Sequence, residues 1–373
     1  MGNRAARYVM ACVCSTLLAL LLSAPVGGAA PVPWQVAAAG APAAWATATG
    51  AGVVVAVVDS GVDADHPDLA GAVLPGRSYV DADPGAEPRL LAFGSEESPV
   101  YERAFGQADP VGHGTAVASL IAGRGTGGHP GMAPGASILP VRVLDDENKY
   151  HDSAMVGAAV KWAVDNGADV VNLSLGGHYD SAPFAEAIAY AERNDVVVVA
   201  CTGNRGQDGT GEEEVWFPAR IDDVLAVTGT DQRGQRWRTA VTGAATDLAA
   251  PGAELSAADT AGGHKTVTGT SFASAIVSGA AALVRSAHPD WSADQVRRAL
   301  TSTAAPGDAD LGAGIVDAGA AVAADIAPAE ESAPMPTVWS AAATAAGGGL
   351  IGGAALLLRG RRRLAVRPRT MAG

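Results

Sequence analysis

The chain has 373 residues, 48% of them hydrophobic, with aromatics at only 5% and a formal net charge of −14. This apolar material suffices for one large or two modest domains, and its Ala, Gly and Val bias suits closely packed α/β layers better than a leucine-rich bundle. An acidic body repels phosphate backbones, so no nucleic-acid partner is expected.

Residues 1–30 have the design of a signal peptide: Arg4 and Arg7, an apolar stretch over 9–22, then small residues around Ser23-Ala24 and Gly28-Ala29-Ala30. Cys12 and Cys14 lie inside that stretch, which leaves Cys201 alone in the body and predicts no intramolecular disulfide. A short Ala-rich lead over 34–52 contains Trp45 on a predicted helix. Residues 52–59 then form a continuous apolar run ending in Asp59, the pattern of a buried parallel strand. Asp59 falls at the strand's C-terminal end, where open α/β sheets place their chemistry. His66 follows in a loop and reads as structural.

Residues 76–110 are polar, with Pro, Gly and several acids, and predict a long surface loop. Val111-Gly112-His113-Gly114-Thr115 opens a small-residue helix, setting a histidine between glycines at a helix start. A strand is predicted over 138–143, a helix over 153–166 and a second buried strand over 168–175, running into Leu173-Ser174-Leu175-Gly176-Gly177. A helix over 183–194 and a strand over 196–201 lead into Thr202-Gly203-Asn204, and another strand spans 224–228. This alternation predicts a doubly wound, mostly parallel α/β sheet with helices on both faces. Gly269-Thr270-Ser271-Phe272-Ala273 is a tight turn entering an apolar helix that reaches about residue 287. Ser292, with Gln295 three residues on, signs a capping box before another helix, and an Ala-rich segment over 316–323 closes the body.

The C-terminal part changes character. Residues 327–336 are a Pro/Glu/Ser/Ala linker. Residues 337–358 carry no charge, and as a helix they reach about 33 Å, enough to span a bilayer core. Gly348/Gly352 and Gly349/Gly353 set small residues four apart within that span. The tail over 359–373 holds six arginines and no acid, a positive-inside signal. The expected layout is thus a signal peptide (1–30), a globular body with its short lead (31–326), a linker, one transmembrane helix and a short basic cytoplasmic tail, with the body outside a cell membrane.

Asp59, His113 and Ser271 all lie where strands end or helices begin. A serine nucleophile needs a base to take its proton, an acid to orient that base, and donors for the developing oxyanion. Asn204, in a glycine-flanked loop after a strand, offers an amide donor, and the Ser271 backbone N–H offers another. Val57-Val58-Asp59-Ser60-Gly61, Gly112-His113-Gly114-Thr115 and Gly269-Thr270-Ser271-Phe272-Ala273 resemble the three signature blocks of the subtilisin-like serine proteases, in the Asp, His, Ser order of that family. Phe217-Pro218-Ala219 resembles the family's turn under the specificity pocket, in which the proline is often cis, and Ala250-Pro251-Gly252 resembles a further block.

The resemblance implies a serine-type endopeptidase. It makes Ser271 the nucleophile, His113 the general base and then acid, Asp59 its orienting carboxylate and Asn204 the oxyanion donor. Ser174, Leu175, Gly176 and Gly203 would bind substrate, the 173–177 run serving as the strand that pairs with peptide backbone. No cofactor or metal is implied; no calcium-loop pattern is clear, and Glu212, Glu213 and Glu214 read as a solvated acidic loop. One departure is Ala275, where the family usually has proline. Arg205, after Asn204, is expected to favour acidic or small substrate side chains.

The overall layout resembles more narrowly the mycosins, the membrane-anchored subtilisin-like proteases of actinobacterial type VII secretion. That resemblance implies a protein or peptide substrate, contact with the secretion machinery and, from a lead of only some twenty residues, no folding propeptide. An alternative expectation is a scaffold that stabilises a secretion complex independently of catalysis.

Overall fold

Consecutive residues of a strand point to opposite faces, so a strand apolar at every position must be covered twice. The computed structural model, which describes residues 32–80, 108–206 and 214–328, meets that requirement with a seven-stranded parallel sheet between two helical layers. The signal peptide, most of the polar loop, nearly all of the linker, the expected span and the tail lie outside the described residues. Among the described residues no helix is long and apolar enough to cross a membrane.

In chain order the elements are α1 (Trp34–Ala38), α2 (Ala41–Ala44), β1 (Val54–Asp59), β2 (Arg77–Ser78), α3 (His113–Ala122), β3 (Ser137–Arg142), α4 (Ser153–Asp165), β4 (Val170–Leu173) and α5 (Ala182–Arg193). There follow β5 (Val197–Cys201), β6 (Val224–Thr230), β7 (Leu248–Pro251), β8 (Leu255–Ala258), β9 (His264–Val267), α6 (Thr270–Ala287), α7 (Ala293–Ser302) and α8 (Ala318–Val322). The sheet order is β2-β3-β1-β4-β5-β6-β7, and β8 and β9 form a separate antiparallel pair. The chain winds outward from β1 in one direction through β3 and in the other through β4. The C-terminal end of β1, which carries Asp59, therefore lies at the point where the winding reverses.

Alternation along β1 sorts the core. Val55 and Val57 join the layer that contains α3 and α6, whereas Ala56 and Val58 join the layer of α4 and α5. Burying a Val or Leu side chain fully contributes about 1.5–3 kcal/mol. Helix α6 is buried from Thr270 through Arg285 and packs on β1, β4, β5, β6 and β7 as well as on α3. The lead is fastened to the body: Trp34 Nε1 donates to Glu254 O (3.3 Å), Gln35 Nε2 to Ser256 O (2.9 Å) and Trp45 Nε1 to Met132 O (2.8 Å).

Three expectations are adjusted. The polar loop begins with β2, which pairs in parallel with β3, so residues 77–78 belong to the sheet. The strand predicted over 168–175 ends at Leu173. Residues 174–177 run past the sheet in the interior of the strand order, and Gly177 makes an antiparallel bridge to Phe217. Strand β7 and the β8–β9 hairpin carry short, mixed or Pro-containing sequences that periodicity does not flag. The capping box is present: Ser292 Oγ accepts from Gln295 N and Gln295 Oε1 accepts from Ser292 N.

Candidate active site

Asp59 ends β1 with its side chain fully buried. Its Oδ1 accepts from Ser60 N (2.7 Å) and pairs with His113 Nδ1 (2.7 Å). His113 is the first residue of α3, after Gly112 in the left-handed conformation. The helix start closes onto the strand end so tightly that a Cβ at Gly114 would lie 2.0 Å from Gly61 O and 3.2 Å from Asp59 Cβ. Glycine at 114 is therefore what lets the imidazole reach the carboxylate.

A second carboxylate, which sequence reasoning left inside the polar loop, builds this turn. Asp109 Oδ1 accepts from Ser60 Oγ (2.8 Å), Gly112 N (2.8 Å) and Val111 N (3.1 Å), and its Oδ2 accepts from Thr115 N (2.8 Å) and Thr115 Oγ1 (2.7 Å). Ser60 Oγ in turn accepts from Gly114 N (3.0 Å). The cue in the sequence was an acid four residues before a glycine-bracketed histidine. Burial is the largest influence on His113 and pushes its pKa down. The charge and hydrogen bond of Asp59, helped by Asp109, outweigh it, and the net shift is upward.

Ser271 is the second residue of α6, 8% exposed, where unpaired N–H groups and the helix dipole favour negative charge. Its Oγ donates to Ser174 O (3.2 Å). The imidazole of His113 packs against Phe272, the next residue, with ring centroids 5.3 Å apart. Nucleophile–base hydrogen bonds commonly tighten only when substrate arrives. Beneath Ser271 lies a buried polar ladder. Ser278 Oγ donates to Asn172 Oδ1 (3.0 Å), Asn172 Nδ2 to Ser174 Oγ (2.8 Å), and Ser174 Oγ to Ser271 O (2.7 Å). Ser274 Oγ also donates to Ser271 O (2.8 Å). The carbonyl of the nucleophile's own residue is thus held by two side chains at the helix start that contains Ala275.

Asn204 is fixed by Thr270, whose N–H donates to Asn204 Oδ1 (3.0 Å). With its oxygen so occupied, the amide turns Nδ2 toward Gly269, where a Cβ would sit 3.8 Å from it. Asn204 Nδ2 thus lies beside the turn that carries Ser271. Arg205 Nη2 donates to Arg238 O (2.8 Å) and Arg205 N to Thr239 O (2.8 Å), so its guanidinium is engaged by the chain's own backbone. His66 is buried and structural: Nδ1 accepts from Asp68 N, and Nε2 bonds Gly263 O (3.0 Å). Cys201 is buried, and burial pushes its thiol up to about 11. The Phe217–Pro218 bond is cis.

The arrangement brings together an imidazole held against a buried carboxylate, a helix-start serine and an amide donor. Comparison with known proteins gives the family. Subtilisin E from Bacillus subtilis (strain 168) is 35% identical over 257 residues, covering 69% of this chain, which spans 61% of that relative's length. Among solved structures, MycP1 with its N-terminal propeptide removed superposes with a TM-score of 0.66 at 30% identity, over 80% of this chain and 99% of that one. MycP3 protease from the type VII (ESX-3) secretion system gives 0.62 at 30% identity, over 80% and 90%. The propeptide named for that MycP1 shows that the absence of one, expected from the mycosin resemblance, does not hold for that relative. The subtilase family model, Peptidase_S8, matches residues 50–325, from the strand that delivers Asp59 to beyond the last helix of the body. The chain belongs to the subtilase family.

Proposed function

We propose that this protein is a membrane-anchored extracellular serine endopeptidase that acts on secreted proteins in association with type VII secretion. The observation that carries the enzymatic part is the His113–Asp59 pair at 2.7 Å, set beside a serine at the start of a buried helix. Ser271 Oγ attacks the scissile carbonyl carbon as His113 Nε2 takes its proton, while Asp59 holds the Nδ1–H and stabilises the imidazolium. The carbonyl oxygen becomes an oxyanion that accepts from Asn204 Nδ2 and from the Ser271 N–H. Collapse of this intermediate breaks the C–N bond, and His113 delivers the proton to the departing amine. Water then enters by the same route: His113 takes its proton, the acyl ester is hydrolysed, and Ser271 regains its hydrogen. The run over 174–177, beside Ser271, supplies extended backbone against which a peptide can lie, its glycines Gly176 and Gly177 partly open to solvent.

The mycosin-like neighbours MycP1 and MycP3, the latter from a type VII system, support the secretory context. The signal-peptide design, the uncharged stretch over 337–358 and the basic tail support the anchor. A fluorophosphonate probe is expected to label the full-length protein and to lose all labelling in Ser271→Ala, with activity down by about 10⁴–10⁶-fold, a scale carried over from subtilisin. Labelling that persists in the variant sinks the assignment. N-terminal proteomics of the secretome, with and without an intact Ser271, identifies the cleaved proteins. Full rescue of secretion by Ser271→Ala in a deletion strain points instead to the scaffold role.

A further inference from the structure

A peptide bound for attack by Ser271, with its carbonyl oxygen turned to Asn204, must lodge one side chain beside the nucleophile. That side chain belongs to the residue before the scissile bond, P1. The slot open to it lies between two segments tied to the two sides of Ser271. On one side Ser174 O receives the Ser271 hydroxyl at 3.2 Å. On the other, Gly203 N donates to Thr270 Oγ1 (3.2 Å), which donates back to Gly203 O (3.1 Å).

The base of the slot is the segment beginning at Trp216. Trp216 N donates to Thr202 O (3.0 Å), while Gly177 and Phe217 exchange two backbone hydrogen bonds (2.9 and 2.7 Å). Both walls therefore connect to this segment. Both also present glycine to it, and a glycine wall ordinarily leaves room for a ligand. Here the room is taken. A Cβ on Gly176 would stand 2.6 Å from Phe217 O and 3.4 Å from Trp216 Cβ, so the Phe217 backbone closes on that wall and the Trp216 side chain sets out beside it. A Cβ on Gly203 would stand 2.4 Å from Trp216 Cδ2, 2.5 Å from Cε2 and 2.7 Å from Cγ, so the indole reaches the other wall and lies on the Gly203 α-carbon. Gly203 itself has φ of 110°, which disfavours any side chain there. The imidazole of His178 braces the indole edge-on, with centroids 5.5 Å apart and planes at 72°.

We propose that Trp216 fills the P1 slot and restricts the protein to peptides with Gly, Ala or Ser at P1. This inference rests on Ser271 being the nucleophile. A larger P1 side chain must lift the indole off Gly203 and away from His178, losing that packing before it gains its own. A single methylene in a packed pocket changes kcat/KM by about 10–200-fold, so a whole ring or isobutyl group is expected to be rejected by at least about 100-fold.

The test compares fluorogenic peptides that differ only at P1 (Ala, Ser, Leu, Phe), using the full-length protein with its active sites titrated by a fluorophosphonate. Ala and Ser are expected to exceed Leu and Phe by at least about 100-fold in kcat/KM. Trp216→Gly is expected to reduce the Ala-to-Phe ratio by at least about 30-fold, mainly through tighter binding of Phe at P1. A titratable wild-type protein that takes Phe as readily as Ala overturns the inference while leaving the protease reading intact. So does a titratable Trp216→Gly protein with the parental ratio. A wild-type protein that neither titrates nor cleaves overturns both. The wild-type profile is decisive even where the glycine variant does not fold.

Discussion

At His113, burial and charge pull the imidazole in opposite directions, and the two nearby carboxylates prevail. General-base action needs the neutral ring, so kcat/KM is expected to fall as pH drops through the raised value. The acid limb therefore lies above the ordinary histidine value of about 6.5, as a pH–rate profile will show. The stability consequence runs the other way. The pairing of protonated His113 with Asp59 stabilises the fold fully below the unfolded pKa, and this contribution is lost as pH rises through the raised folded pKa. Asp109 separates charge from architecture. Both its oxygens accept hydrogen bonds, so Asp109→Asn turns an NH₂ group toward N–H or O–H donors. A loss of about 2–4 kcal/mol in urea unfolding is expected. Because Asp109 also helps to raise His113, the acid limb of the same variant should move to lower pH. A purely structural role for Asp109 leaves that limb in place.

Among the elements, α6 carries the greatest constraint, because it delivers Ser271 while packing against strands and helices along its length. Gly279 marks where another segment comes closest: a Cβ there would meet Met132 Cβ at 2.5 Å and Ile121 O at 3.3 Å. In an isolated helix, Gly→Ala stabilises by about 1 kcal/mol. Here the clash involves a Cβ and a carbonyl, neither of which can swing aside, and overpacking costs about 1–3 kcal/mol. Gly279→Ala is therefore expected to be net destabilising, by up to about 2 kcal/mol in chemical denaturation, the opposite sign to the propensity scale. Gly279 was visible in the sequence as the one glycine of α6, but its neighbour Met132, in a turn 147 positions earlier in the chain, was not.

For the molecule as a whole, the proposed anchor separates chemistry from location. The subtilase match ends at residue 325, and α8 closes the body at Val322. A chain ended after Pro328 is expected to keep fluorophosphonate labelling but to shift from the membrane fraction to the medium, as fractionation will show. Retention of the shortened chain on membranes counts against the tether. The lead over 34–45 is expected to travel with the released body, since three of its side chains are hydrogen-bonded to it.

The parallel α/β class, the strand end at Asp59, the helix starts at His113 and Ser271 and the capping box at Ser292 were all legible in the sequence. Each is written in local chemistry: an unbroken apolar run, glycines bracketing a polar residue, a Ser and a Gln three apart. The remainder depends on residues distant in the chain. Asp109 lay in a stretch that reads as loop, and only the fold brings Ser60 and Thr115 to its oxygens. Asn172 and Ser278 look like interruptions of apolar segments until β4 and α6 cross and pair them. Trp216 reads as one aromatic in a turn, and only the approach of Gly176 and Gly203 from two different strand ends gives it a slot to fill. Local pattern determines which elements form and where reactive groups stand on them. Close packing between segments far apart in sequence decides which polar groups are satisfied and which spaces are left for a ligand.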